Sequence, residues 1–144
     1  MYKKVIIAII LMIAFVKTSN AQELQTQVEA INAFIEGHSE DDRNYYAKIN
    51  ATQDNVYFFN EMQHVIQLTF PVAKMDADNI KITKKGLTFY PKEKGLVVTK
   101  QFSSFAPKKI GTAWLNIIKM SKKDKMELQA MMKKFIIDFQ TAMK

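Results

Sequence analysis

Cysteine is absent from the sequence. That excludes disulfides, thiolate metal sites, cysteine nucleophiles and lipid attachment at a cleavage-site cysteine. Stability must come from an apolar core. Glycine and proline are scarce, 4 and 3 in 144 residues, which favours regular elements joined by few breakers. Arginine occurs once, at Arg43, and histidine only at His38 and His64. Gly-rich phosphate loops, His-Glu-x-x-His and Gly-x-Ser-x-Gly are missing, as are internal repeats and low-complexity tracts.

What remains is ordinary for one globular domain: 48% apolar and 24% charged residues. The chain starts as an exported protein does. Lys3 and Lys4 precede the apolar run Val5–Val16, and Ser19-Asn20-Ala21 places small residues where a signal peptidase cuts. Residues 1–21 are expected to be a cleavable secretory signal, cut after Ala21, and 22–144 a single domain. The apolar run is shorter than the ~20 residues of a membrane span. No transmembrane span is expected after cleavage. The leader and the preference for Lys over Arg suit a periplasmic or secreted bacterial protein.

Charge is divided unevenly. Gln22–Asn79 carries three basic against ten acidic residues, net −7, while Ile80–Lys144 carries 15 Lys against four acids, net +11. Either the halves neutralise one another on folding, or the second half meets an anionic partner.

In Glu23–Glu36, Leu24, Val28, Ile31, Phe34 and Ile35 recur at helical spacing, and Gly37 is a stop signal. Tyr45–Ala51 and Val56–Asn60 read as strands, joined by a turn at Gln53-Asp54-Asn55. Glu61-Met62 is a tight connection to Gln63–Phe70. That segment alternates strictly, with His64, Ile66, Leu68 and Phe70 inward, and Pro71 ends it. Met75–Asn79 is expected to be a turn. Ile80–Thr83, Leu87–Tyr90 and Leu96–Phe102 follow as strands, the last with either Leu96 and Val98 or Val97 and Thr99 inward. Ser103–Gly111 is the longest expected loop. Thr112–Met120 is read as a strand with Ala113, Leu115 and Ile117 on one face, a helix being the alternative. Ser121 begins a capping pattern with Asp124. It opens the helix Lys122–Met143, whose stripe runs Leu128, Met132, Phe135, Phe139 and Ala142.

The expected fold is α+β: an antiparallel meander of five to seven strands with an N-terminal helix and a long C-terminal helix packed on it. The order of strands followed by one long terminal helix resembles that of pleckstrin-homology-like half-barrels, a resemblance that implies no ligand.

Candidate chemistry is sparse. His64 sits on an apolar strand face with no second histidine or nucleophile beside it, so it reads as a packing residue. His38 with Glu40, Asp41 and Asp42 offers oxygen ligands, but their spacing fits no defined cation site. Asp76-Ala77-Asp78-Asn79 begins like a calcium loop and then lacks the glycine and the final carboxylate. No catalytic residue, cofactor or metal is assigned. The non-random feature is lysine interleaved with aromatics. Lys84, Lys85, Lys92, Lys94, Phe105, Lys108 and Lys109 form the expected contact surface, at the Ser103–Gly111 loop and the neighbouring turns. Its expected partner is an anionic protein, polysaccharide or lipid surface. Nucleic acid is disfavoured, because arginine, which grips phosphate with two donors, is missing from this half. The functional expectation is an exported, noncatalytic binding module. The alternatives are a self-associating envelope protein, dimerising through the helix stripe, and an enzyme of unknown type.

Overall fold

The computed structural model describes residues 2–39, 46–61 and 65–143. His64, the acidic residues Glu40, Asp41 and Asp42, and Met62 of the expected Glu61-Met62 connection lie outside that set, whereas Glu61 ends a strand.

Helix α1 runs Tyr2–His38 without a break through Ala21 and through the expected helix. Five strands follow: β1 (Tyr46–Ala51), β2 (Asn55–Glu61), β3 (Val65–Pro71), β4 (Met75–Ile82) and β5 (Gly86–Pro91). A single 3-10 turn, Val72–Lys74, separates β3 from β4. Then come β6 (Val98–Phe102), β7 (Lys108–Ile110), β8 (Ala113–Asn116) and helix α2 (Lys122–Ala142). The fold is α+β, as expected. Among the described residues no helix is long and apolar enough to cross a membrane.

Among the described residues the strands form two antiparallel sheets rather than one meander, and no closed barrel. The larger sheet has the order β1-β2-β3-β6-β7 and the smaller β4-β5-β8. Strands β4 and β5 therefore lie between β3 and β6 in sequence but outside their sheet. The sheets meet face to face, with the Phe58 ring 4.6 Å from that of Phe89. Register explains which residues face the junction. Ile49, Phe58 and Leu68 are directly opposite one another on β1, β2 and β3, and all three are buried. From the smaller sheet come Leu87, Phe89, Ala113 and Leu115, also buried. The strand phase expected for Ala113, Leu115 and Ile117 holds. In β6 Val98 turns inward, and Leu96 is 69% exposed.

Two expected irregular segments are strands. Met75–Asn79 belongs to β4, whose pairing with β5 slips between Met75 and Ile80. The Asp76 carboxylate accepts the amide of Asp78 at 3.0 Å. Turn chemistry is therefore real there, but it shapes a bulge and does not end the strand. Ser103–Gly111 is not one long loop: β7 returns within it, paired with β6.

Helix α2 begins as expected, with the Ser121 hydroxyl accepting the Asp124 amide at 3.1 Å. Its stripe of Leu128, Met132, Phe135, Ile136 and Phe139 is buried within the chain's own core. That stripe is therefore not available for a coiled-coil seam. Lys125 is buried in phase with it and donates to the carbonyls of Thr83 and Lys84 at 2.9 and 3.0 Å. Helix α1 contributes Val28, Ile31 and Ile35 to the same core.

Candidate functional site

The edges of the two sheets locate the site. An edge strand presents unpaired N–H and C=O groups, which proteins cover or blunt. Among the described residues, side-chain amides meet open backbone groups at three of the four edges. Each such amide offers a donor and an acceptor, as a neighbouring backbone would.

At β1, Asn32 of α1 donates to the Ile49 carbonyl at 2.9 Å and accepts the Ile49 amide at 2.8 Å. At β8, Asn60 donates to the Trp114 carbonyl at 2.9 Å and accepts the Asn116 amide at 2.6 Å. At β4, Gln129 of α2 donates to the Ile80 carbonyl. Gln140 donates to the carbonyls of Val72 and Met75, both at 2.8 Å. The Lys133 ammonium, 2.8 Å from the Asp78 carboxylate, pins the β4 bulge. That contact holds the carboxyl of Asp78 below the usual range and the ammonium of Lys133 above it. The fourth edge, β7, has no side-chain amide across it among the described residues.

Beside β7 the larger sheet extends beyond its cover. The inward row Ile49, Phe58, Leu68 continues through Lys100 to Lys108 by register. Burial falls along that row, from the closed core to half-buried Lys100 and exposed Lys108. The Lys100 ammonium lies 5.6 Å from the centre of the Trp114 ring, over the last strand of the smaller sheet. Lys100, Phe102, Phe105, Ala106 and Lys108 line a cavity of about 280 Å³. The hairpin tip over it is shaped by hydrogen bonds. The Gln101 side chain donates to the carbonyls of Ser103 and Phe105 at 3.2 and 2.7 Å, and the Phe105 amide donates to that of Phe102 at 3.0 Å. Ser103 adopts φ 50°, the left-handed region. Phe105 stacks on Phe102 at 5.7 Å, yet stays 64% exposed. On the opposite face, the Lys109 ammonium donates to the Thr99 hydroxyl at 2.7 Å.

The seven residues singled out from sequence fall into separate places. Phe105, Lys108 and Lys109 belong to the β6–β7 hairpin. Lys92 and Lys94 lie in the β5–β6 turn, which approaches the far end of β7: a Cβ on Gly111 would stand 3.6 Å from the Gly95 carbonyl. Lys84 and Lys85 occupy the β4–β5 turn, at the other end of β5 and roughly 17 Å away at ~3.4 Å per residue. They face the start of α2, where Lys125 holds their turn. Lys100, Phe102 and Trp114, part of the same lysine-and-aromatic pattern but outside those seven, complete the surface beside Phe105 and Lys108.

A larger cavity of about 660 Å³ opens between α1, the β1–β2 turn and the end of α2, with Leu24, Val28 and Phe139 in its wall. Its polar lining is Asn20, Gln25, Thr52, Gln53 and Asp54, so it holds one titratable side chain and no pair suited to acid–base work. His38 is engaged locally, its Nδ1 donating to the Phe34 carbonyl at 2.8 Å and its ring stacked on Phe34. Among the described residues no three His, Asp or Glu side chains gather as metal ligands do.

No protein-family model, curated protein or solved structure matches this chain. Functional assignment therefore rests on the geometry of the β6–β7 rim.

Proposed function

We propose that the protein is an exported, noncatalytic binding module that takes an anionic partner at the β6–β7 rim. One observation carries the reading. The only sheet edge left without a side-chain amide, among the described residues, is also the one flanked by Lys100, Lys108 and Lys109 and by the exposed ring of Phe105. None of those three lysines is ion-paired among the described residues. An anion reaching the rim displaces no internal carboxylate. A lysine-rich edge also discourages sheet-to-sheet association, but that role does not call for the aromatic groove beside it. The leader-like segment Met1–Ala21 supports the export part of the reading.

Binding to immobilised polyglutamate at low and at high salt tests the reading. Retention at low salt is expected to fall steeply as the Debye length shrinks below ~8 Å, and to weaken several-fold in Lys108→Gln/Lys109→Gln. Equal retention of the two proteins, or retention indifferent to salt, would refute it.

A further inference from the structure

The geometry points to the manner of binding: the β7 edge accepts an extended acidic polypeptide segment as an added strand, with carboxylates beside Lys108 and Lys109. This rests on the anionic-partner reading of the same rim and names the partner's class.

The other edges supply the reason. Asn32, Asn60, Gln129 and Gln140 each meet open backbone groups of an edge strand with an amide. An amide is what a peptide backbone repeats, so an incoming strand offers β7 the closure that the other edges receive from side chains. Main-chain hydrogen bonds supply affinity in such additions, and alternate side chains supply selectivity. Successive side chains of an added strand point to opposite faces. One set meets Lys108, Lys100 and the ring of Phe105; the other meets Lys109 beside Thr99. Both faces present ammonium groups, so acidic residues in either phase find a partner. The hairpin tip, tied by Gln101 and by the Phe105 amide, keeps the groove open.

Charge also disfavours a second copy of the chain. Two β7 strands side by side bring Lys108 and Lys109 against their own kind, and like charges directly opposite destabilise a pair. A lipid surface or a polysaccharide matches the ammonium groups but offers no repeating N–H and C=O to the edge.

The test uses the full chain and two short capped peptides that alternate aspartate and valine. One is unmodified; the other is N-methylated at every residue, which removes the donors along both edges and leaves the charge unchanged. The unmodified peptide is expected to bind, with hydrogen exchange slowed at Lys108–Ile110. The methylated peptide is expected to bind roughly tenfold or more weakly, about 1.4 kcal/mol per factor of ten. Equal binding of the two peptides, with both lost in Lys108→Gln/Lys109→Gln, overturns strand addition and leaves the anionic reading standing. Retention on polyglutamate without binding of either peptide does the same. Failure to bind the peptides and polyglutamate alike overturns both.

Discussion

Asn32 meets Ile49 as one strand meets another. Its side-chain amide donates to the carbonyl and accepts the N–H of the same residue, at 2.9 and 2.8 Å. A helix thereby covers the β1 edge of the larger sheet at Ile49. Truncation of Asn32 leaves two backbone groups of a half-covered strand to water. Asn32→Ala is expected to cost about 1–2 kcal/mol, read as a lower urea midpoint with an unchanged slope.

Asn60 is expected to be the more sensitive amide. It is itself buried and holds backbone groups of Trp114 and Asn116 from the other sheet. Asn60→Leu keeps the volume and removes both bonds. A loss of about 2–4 kcal/mol is expected from two desolvated, unpaired groups. A loss smaller than that of Asn32→Ala would show that Asn60 is not what joins the sheets.

Gly86 tolerates no side chain. Its φ is +152°, and an added Cβ would lie 1.9 Å from the Leu115 carbonyl oxygen. The contact is with backbone, so β5 and β8 must part. Gly86→Ala is expected to destabilise by about 3 kcal/mol or more, with circular dichroism reporting loss of structure at lower temperature. Gly37→Ala serves as the control, since nothing lies within 4 Å of its added Cβ.

Acid is expected to loosen the contacts of α2. Asp138 accepts from Lys134 at 2.6 Å and from Gln27 of α1 at 3.0 Å. The Lys134 hydrogen bond holds its carboxyl below the usual range, with Gln27 adding to it and burial opposing. Asp78 is lowered likewise by Lys133. A carboxyl depressed on folding contributes stability that is present above its unfolded pKa and lost as pH falls through the folded value. The decline is therefore expected below about pH 4. It should be small, because these pairs are solvent-exposed. Urea midpoints against pH should fall less steeply in Asp138→Asn than in the parent over that window.

Much of the fold was legible because strand alternation and helical spacing are local. Leu68, Phe70, Ala113 and Leu115 lie where period two places them, and Phe135 and Phe139 where the helical stripe does. The division into two sheets was not legible. It depends on which distant strands pair, and β3 meets β6 rather than β4. Asp76 and Asp78 read as a turn because their local bond is a turn's bond, whether or not the strand continues. The rim was half legible. The interleaving of lysines with Phe105, Phe102 and Trp114 was legible, whereas the meeting of Lys100 with Trp114 depends on contact between sheets. Two signals were available and unused. Asn60 follows Val56 and Phe58 in strand phase, and Lys125 precedes Leu128 and Met132 in helical phase. A polar residue on an apolar phase marks a bonded one.

The detour of the chain through β4 and β5 before β6 rejoins β3 bears on how the molecule assembles. The β3–β6 pairing closes around a hairpin that must itself dock through Phe89 onto Phe58. Each sheet therefore depends on the other, and the two are expected to form in one cooperative step. Pairings this distant in sequence are slow to nucleate, and refolding is expected in the millisecond-to-second range of sheet-dominated domains.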